Sequence, residues 1–189
     1  MTRVILASKS PRRKELLSLL NIPFDIIVAD IDETIDYEND LVKEIEKLSY
    51  KKASAVFENN KDALVIGSDT IVKIGNTVLG KPHTKEKAKE MLRLLSSNTH
   101  EVVTGVTILV GDKVETFSSV ANVTFYSLNE EEIEEYVNSL EPLDKAGAYA
   151  IQGLGSKFIK SIDGDYYSIV GLPVGELYHR LKKYLWMLV

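Results

Sequence analysis

The fold of this chain is decided by the stretch Val4-Ile5-Leu6-Ala7-Ser8-Lys9-Ser10-Pro11-Arg12-Arg13-Lys14-Glu15, in which an apolar run leads straight into a cationic one. Residues 4–7 are apolar and partly β-branched, which predicts a short buried strand. Ser10 and Pro11 then predict the start of a helix, because serine suits the N-cap and proline suits the first helical position. The stretch therefore predicts a buried strand followed closely by a helix.

The first turn of this predicted helix is cationic, with Arg12, Arg13 and Lys14 in succession. Cations are disfavoured there, because the helix dipole is already positive at its N-terminus. One explanation is a bound anion, since backbone N–H groups, the hydroxyls of Ser8 and Ser10, and two guanidinium groups would form a cradle for a polyphosphate. The other is a solvated basic helix face that pairs with nearby carboxylates such as Glu15. These residues alone leave the two explanations about even.

The composition is typical of a globular protein and excludes several kinds of site. With 189 residues, the chain is long enough for one sizeable core or for two lobes that share a sheet. A formal net charge of −5 argues against a general nucleic-acid-binding protein, and the lack of cysteine excludes disulfides and thiolate metal sites. We find neither a signal peptide nor an apolar run of membrane-spanning length, so we expect a cytoplasmic protein that binds no membrane and no nucleic acid.

Predicted strands alternate with predicted helices along the chain, and one long hairpin interrupts them. The hairpin is predicted from two β-rich segments, Thr99–Val110 and Lys113–Phe125, on either side of a Gly-Asp turn. This order predicts an α/β or α+β protein with a mixed, bent central sheet flanked by helices, and two lobes with a cleft between them. Other expected elements are strands over residues 24–28 and 158–162, a helix over about residues 40–59, and a C-terminal helix to about Leu188.

Asp69 is the carboxylate whose place along the chain most suggests catalysis. It follows Gly67 and the short apolar run of residues 63–66, which predicts a buried strand. Catalytic carboxylates often lie at strand ends, where a rigid backbone aims them. Aspartate is also an ordinary turn residue, and the local sequence alone favours that role.

Taken together, several side chains suit phosphoryl transfer on a nucleotide. That chemistry needs cations and a metal ion on the phosphates, and a carboxylate that orients or deprotonates water. Glu33 and Asp69 can supply the hard oxygen ligands that Mg²⁺ or Mn²⁺ prefers. The cations available for the phosphates are Arg12, Arg13, Lys52 and Lys81.

Eight short blocks of sequence, in order along nearly the whole chain, resemble the motifs of the Maf family of nucleoside triphosphate pyrophosphatases. The blocks are Ser10-Pro11-Arg12-Arg13, Glu33, Lys51-Lys52-Ala53, Gly67-Ser68-Asp69-Thr70, Leu79-Gly80-Lys81-Pro82, His100-Glu101-Val102-Val103-Thr104-Gly105-Val106, Asp144-Lys145-Ala146-Gly147-Ala148-Tyr149-Ala150-Ile151-Gln152-Gly153, and Gly171-Leu172-Pro173. Eight blocks in the same order make a specific match. The resemblance implies a single Maf-like domain over residues 1–189, with a fold of the Maf and inosine triphosphatase type.

The resemblance also implies an activity and a set of site residues. Members of the family hydrolyse a nucleoside triphosphate between the α and β phosphates, which yields the monophosphate and pyrophosphate. On this basis the catalytic residues are expected to be Asp69 as general base, Lys81 and Glu33, with Glu33 and Asp69 as ligands of Mg²⁺ or Mn²⁺. The expected substrate-binding residues are Ser8, Arg12, Arg13, Lys52, Thr70 and Gln152. A homodimer is also implied.

Three positions resemble the branch of the Maf family that acts on dTTP and UTP. They are Arg12 after Ser-Pro, Thr70 after Gly-Ser-Asp, and Gln152 before Gly153. The branch that acts on 7-methyl-GTP carries tryptophan, glutamine and glutamate at these positions. We therefore expect dTTP and UTP as substrates, while modified pyrimidine nucleotides and the rejection of CTP stay open. The alternative is a nucleotide-binding regulator of cell division and septum formation in which catalysis is incidental.

Overall fold

The computed structural model describes residues 2–36 and 40–184, and within them seven strands form one mixed sheet. The strands are β1 (Val4–Leu6), β2 (Asp25–Ile26), β3 (Leu64–Ile74), β4 (Thr77–Leu79), β5 (Thr99–Val110), β6 (Lys113–Phe125) and β7 (Ile159–Asp163). The helices are α1 (Pro11–Ser18), α2 (Leu41–Phe57), α3 (Lys85–Leu95), α4 (Glu130–Asn138), α5 (Tyr166–Val170) and α6 (Val174–Leu181).

The sheet combines parallel and antiparallel pairs. Its strand order is β2-β1-β3-β5-β6-β7, and β4 pairs with β3 off this path. Strand β1 runs parallel to both β2 and β3, whereas β4 is antiparallel to β3 and β7 is antiparallel to β6. The mixed α/β class predicted from the sequence is confirmed.

The chain forms two compact units. Unit 1 comprises Met1–Asp69, Thr104–Ser119 and Gly171–Val189, and unit 2 comprises Thr70–Val103 and Val120–Val170. The single domain predicted over residues 1–189 and the cleft predicted between two lobes stay predictions.

The core of unit 1 is built on the parallel strands β1 and β3. Ile5 and Leu6 on β1, and Val65 and Ile66 on β3, are fully buried. Parallel strands that are covered on both faces read as continuous apolar runs, which is the pattern that predicted β1. Ala53 of helix α2 packs in one hydrophobic cluster with Ile5 of β1 and Val65 of β3.

Gly67 determines how closely α2 can approach β3. A Cβ atom at this position would lie 2.3 Å from the carbonyl oxygen of Ser49 and 2.8 Å from the backbone nitrogen of Ala53. Because a backbone atom cannot move aside as a flexible side chain can, any larger residue would displace α2 from β3. Glycine therefore allows Lys52, on α2, to lie near Asp69, on β3.

An aromatic cluster holds part of unit 2 together. His100, Phe125 and Tyr149 pack edge to face, with ring centroids 4.9 to 5.3 Å apart. Each such pair stabilises the fold by about 0.5–1.5 kcal/mol beyond the area that it buries. The cluster anchors Tyr149 and, with it, the small-residue segment of residues 146–155.

Several predicted elements appear with bounds close to those expected. Strands β5 and β6 form the predicted hairpin. Helix α2 lies within the predicted range, and its N-cap Asp40 accepts a hydrogen bond of 3.0 Å from the backbone nitrogen of Val42. Strand β7 begins one residue later than predicted. Within the described residues, no helix combines the length and the hydropathy needed to cross a bilayer.

One local prediction was wrong in extent, and one helix was not predicted. The strand predicted over residues 24–28 is reduced to the two residues of β2, because this exposed edge of the sheet pairs with β1 only over that length. The C-terminal region contains α5, which the sequence analysis did not predict, before α6 begins at Val174. The predicted end of the last helix near Leu188 lies outside the described residues.

Candidate functional site

Arg13 does not lie on a solvated helix face. Its side chain is buried, and its guanidinium group donates hydrogen bonds to three acceptors in unit 1. Nε donates to the carbonyl oxygen of Gly171 over 2.9 Å, Nη1 to the Ser8 hydroxyl over 3.3 Å, and Nη2 to Oδ1 of Asp69 over 3.3 Å. For Arg13, the structure therefore contradicts the explanation of a solvated basic helix face.

The start of α1 is arranged around the Ser8 hydroxyl. Ser10 occupies the N-cap and Pro11 the first helical position, as predicted, but the Ser10 side chain accepts no hydrogen bond from the helix. The backbone nitrogen of Ser10 instead donates to the Ser8 hydroxyl over 3.2 Å. Because that hydroxyl also accepts from Arg13, it fixes the cationic side chain to the strand-to-helix junction.

Asp69 is held between two cations. Its Oδ1 faces Arg13, and its Oδ2 lies 3.2 Å from Nζ of Lys52. All three side chains are largely shielded from water, with 10% of Arg13, 14% of Lys52 and 17% of Asp69 exposed. Ion pairs at this depth are screened less than those at the surface, so both cations constrain the orientation of the carboxylate.

Lys52 links Asp69 to Glu33. Its Nζ lies 3.1 Å from Oε1 of Glu33, a carboxylate in the segment between β2 and α2. Unlike Asp69, Glu33 is more than half exposed, with 58% of its side chain accessible. Ser8, Arg13, Asp69, Lys52 and Glu33 thus form one continuous chain of contacts within unit 1.

Glu33 and Asp69 supply two carboxylates that could bind a divalent cation. One oxygen of each carboxylate lies within 3.2 Å of the same ammonium nitrogen of Lys52, so the two groups converge on one cationic centre. In the part of the chain that the structure describes, no group of three or more His, Asp or Glu side chains could hold a metal ion. Mg²⁺ commonly takes one or two protein carboxylates and completes its coordination with phosphates and water. The two carboxylates are therefore donors that fit Mg²⁺ or Mn²⁺ with further ligands from outside the protein.

Sequence reasoning missed two residues that support this group. The carbonyl oxygen of Gly171 accepts from Arg13 and also, over 3.1 Å, from the buried hydroxyl of Ser68. Gly171 is 158 residues away from Arg13 in sequence. The Gly171-Leu172-Pro173 block was a signal that this position matters, but it did not reveal the partner.

A comparison of the sequence with known protein families shows the family of this chain. The model of the Maf-like protein family matches residues 3–184. This chain belongs to the Maf-like protein family.

Close relatives in the family share nearly its whole length. The chain is 55% identical over 184 residues to a dTTP/UTP pyrophosphatase of Bacillus anthracis (strain CDC 684 / NRRL 3495), covering 97% of this chain and 96% of the relative. It is 54% identical over 184 residues to a dTTP/UTP pyrophosphatase of Bacillus cereus (strain G9842), with the same coverage.

A solved structure supports the fold. The structure of a HAM1 protein from Coxiella burnetii matches with a TM-score of 0.52 at 15% identity, covering 97% of this chain and 100% of that one. At such low identity the match shows a shared fold alone. The resemblance to Maf and the fold type expected from it are both confirmed.

The remaining Maf motif residues that the sequence pointed to are distributed over both units. Arg12 is half-buried in the first turn of α1, in unit 1. Thr70 is half-buried, and Lys81 and Gln152 are exposed, all three in unit 2. The roles that the Maf resemblance implies for these residues, and for the contact chain of unit 1, stay predictions.

Lys81 lies on a segment that is fixed to the loop region of unit 2. The backbone nitrogen of Gly147 donates to the carbonyl oxygen of Gly80 over 3.2 Å. The backbone nitrogen of His83 donates to the carbonyl oxygen of Leu143 over 3.1 Å. These bonds lie on either side of Lys81. The two Maf motifs that contain Lys81 and Gln152 are therefore joined through their backbones.

His100, which begins another Maf motif, is buried in the aromatic cluster of unit 2. Its Nε2 lies 2.7 Å from the hydroxyl of Tyr149, and among the described residues its Nδ1 has no hydrogen-bond partner. Burial lowers the pKa of His100 to about 4, so the ring is neutral at physiological pH. Its position in the packed cluster favours a structural role.

Proposed function

We propose that this protein is a nucleoside triphosphate pyrophosphatase that hydrolyses dTTP and UTP to the monophosphate and pyrophosphate. The proposal is supported by the identity of 55% with a dTTP/UTP pyrophosphatase over nearly the full length of both chains. The structural observation that carries it is Asp69, a shielded carboxylate held between Arg13 and Lys52. Attack of water on a phosphate needs a carboxylate that accepts a proton and nearby cations that stabilise the developing negative charge.

In the proposed reaction, Asp69 orients a water molecule and accepts its proton. The water oxygen forms a bond to phosphorus, the anhydride bond between the α and β phosphates breaks, and the electron pair of that bond leaves with pyrophosphate. Arg13 and Lys52 move part of their hydrogen bonding from carboxylate to phosphate oxygens, which offsets the charge that develops on the leaving group. Ser8 keeps the guanidinium group of Arg13 in place.

The formal charges of this group explain why further cations are needed. Arg13 and Lys52 together balance Asp69 and Glu33, so a triphosphate would add negative charge without compensation. Arg12 and Lys81 are the cations that we assign to this task. When bound at Glu33 and Asp69, Mg²⁺ or Mn²⁺ would supply the remaining charge neutralisation.

Gln152 is proposed to distinguish the base, together with Thr70. Uracil and thymine present acceptor, donor and acceptor groups along O4, N3–H and O2. A glutamine amide has one donor and one acceptor group, so it can pair with N3–H and one carbonyl together. Leaving a buried carbonyl unpaired costs about 1–3 kcal/mol, which corresponds to a selectivity of about tenfold to a hundredfold. We therefore expect UTP and dTTP to be hydrolysed faster than GTP and ATP.

A nucleotide panel with purified protein tests the activity. Release of pyrophosphate from UTP and dTTP in the presence of Mg²⁺ or Mn²⁺, and its loss on addition of a chelator, would agree with the proposal. Binding of UTP without turnover would instead favour the alternative of a nucleotide-binding regulator of cell division. The homodimer and the cytoplasmic location stay predictions.

A further inference from the structure

Glu141 forms an unusual set of contacts in unit 2. Its carboxylate accepts hydrogen bonds from the backbone nitrogens of Leu154 and Gly155, over 3.1 and 3.2 Å, and from the hydroxyl of Tyr136 over 2.7 Å. A Cβ atom at Gly153 would lie 2.0 Å from Oε1 of Glu141. The carboxylate is therefore packed directly against the backbone of the segment that follows Gln152.

The backbone around Glu141 is itself constrained. Leu140, directly before Glu141, has a φ angle of 67°. Pro142, directly after Glu141, has its own φ angle fixed by its ring. The backbone nitrogen of Glu141 donates to the Ser139 hydroxyl over 3.3 Å. A carboxylate on a constrained backbone can hold its partners in a defined position, and hydrogen bonds to a charged acceptor are stronger than neutral ones.

Tyr136 extends the same arrangement to the other end of the segment. Its hydroxyl accepts from the backbone nitrogen of Ala150 over 3.1 Å while it donates to Glu141. Its ring is buried and packs edge to face on Phe158, with ring centroids 5.1 Å apart. Burial, reinforced by the Glu141 carboxylate, raises the pKa of Tyr136, so the hydroxyl keeps its proton and remains a donor.

These contacts fasten residues 150–155 at both ends. Ala150 is held at the start, and Leu154 and Gly155 are held at the end. Between them Ile151 is buried, whereas Gln152 is exposed. Gln152 therefore lies on a short arch whose backbone is fixed on both sides.

We propose that Glu141 is a positioning residue for base recognition: with Tyr136, it fixes residues 150–155 so that the Gln152 amide meets the pyrimidine base in a defined orientation. This inference rests on the proposed function, because it needs Gln152 to contact the base. Glu141 does not touch substrate and takes no part in the bond-breaking step. Its loss releases an arch that must then be ordered each time a nucleotide binds.

The test compares steady-state kinetics with UTP and GTP for wild type, Glu141→Gln, Gln152→Ala and the double variant. Glu141→Gln preserves the size of the side chain. Its amide N–H groups would face N–H and O–H donors that now donate hydrogen bonds to the carboxylate. We expect the ratio of kcat/KM for UTP over GTP to fall about tenfold, mainly through a higher KM for UTP, with kcat within about threefold of wild type. In the double variant, Glu141→Gln should change the ratio by less than about twofold relative to Gln152→Ala, since both act through one contact.

Matched variants separate positioning from general destabilisation. Glu135→Gln removes an exposed carboxylate from α4 that forms an ion pair with Lys157 over 3.4 Å, and it should leave both kinetic constants unchanged. Tyr136→Phe removes the hydroxyl but keeps the packed ring, so it provides a folded test should Glu141→Gln fail to fold. It should shift the same ratio in the same direction, by less.

The outcomes distinguish the inference from the function beneath it. An unchanged UTP to GTP ratio in active Glu141→Gln and Tyr136→Phe would overturn the inference and leave the proposed function intact. So would equal losses of kcat for both nucleotides, or a fully additive double variant. If wild type fails to hydrolyse UTP, the proposed function fails and the inference falls with it.

Discussion

Two regions of this protein are fixed in different ways, and the difference bears on what each can do. In unit 1, charged side chains from four separate segments meet through ion pairs: Arg13, Glu33, Lys52 and Asp69. In unit 2, a single carboxylate and a tyrosine hydroxyl hold the backbone of residues 150–155. The first arrangement orients the charged carboxylate of Asp69, and the second fixes the backbone on either side of the neutral amide of Gln152.

Under the proposed function, this difference predicts separate roles for the two regions. Charged groups that bind phosphates act on every nucleoside triphosphate alike, because the triphosphate is the same in each. A neutral amide on a fixed backbone discriminates through hydrogen-bond geometry, which differs from base to base. Variants in unit 1 should therefore change turnover for all nucleotides, whereas variants near Gln152 should change the choice among them.

The largest effect on activity is expected from Asp69→Asn. The amide keeps the shape of the side chain but cannot accept a proton, so kcat should fall by about 10²-fold or more for every nucleotide. Binding should persist, because Arg13 and Lys52 remain. Asp112→Asn, in the exposed turn between β5 and β6, is the matched control. Near wild-type kcat in Asp69→Asn would show that another group activates water.

Gln152→Glu should lower kcat/KM for UTP by about tenfold to a hundredfold, because a carboxylate at neutral pH cannot donate to a carbonyl of the base. Gln152 is exposed, so the free energy of unfolding should change little. Steady-state kinetics and thermal denaturation measure the two quantities. Equal turnover of UTP by wild type and variant would place base recognition elsewhere.

Arg13→Lys should weaken nucleotide binding to the same extent whichever base the nucleotide carries. Lysine keeps the charge but cannot reproduce the three hydrogen bonds to Gly171, Ser8 and Asp69. We expect a loss of about 1–3 kcal/mol in stability and weaker binding of UTP and GTP by similar factors. A change in the UTP to GTP affinity ratio, measured by calorimetry, would contradict the division between the two regions.

The smallest effect on activity at neutral pH is expected at His100. Its pKa is lowered from 6.5 to about 4 by burial, so the folded protein resists protonation that the unfolded chain accepts. The stability that this neutral ring contributes is fully present above about pH 6.5, is lost as pH falls towards 4, and amounts to about 3 kcal/mol. His100→Gln should reduce the slope of stability against pH in this window relative to wild type, measured by denaturant unfolding. Equal slopes in wild type and variant would refute the assignment.

Features governed by local sequence were predicted well. Pro11 marked the start of α1, and the two β-rich segments around Gly111 gave β5 and β6. The apolar run before Gly67 predicted the start of β3, but the strand continues to Ile74, so Asp69 lies within β3 and not at a strand end or in a turn as expected. Each depends on propensities or periodicities that act over a few residues, and these can be read directly from a sequence.

Features governed by distant contacts could not be derived from local patterns. Arg13 and Asp69 are 56 residues apart, so their contact depends on how β1 and β3 pair. Glu141, next to a proline after α4, has the local sequence of a solvated turn, and its contacts with Leu154 and Gly155 emerge only once the chain has folded. The Maf motifs predicted a set of site residues, but they did not show which residues contact one another.

The proposed function requires cleavage of UTP between the α and β phosphates with the help of Asp69. Phosphorus NMR of UTP incubated with Mg²⁺ and purified protein identifies the products, with Asp69→Asn run in parallel. We expect equal amounts of UMP and pyrophosphate from wild type, and formation of both at least about 10²-fold slower with the variant. UDP and orthophosphate as products, or equal rates for the two proteins, would contradict the proposed function.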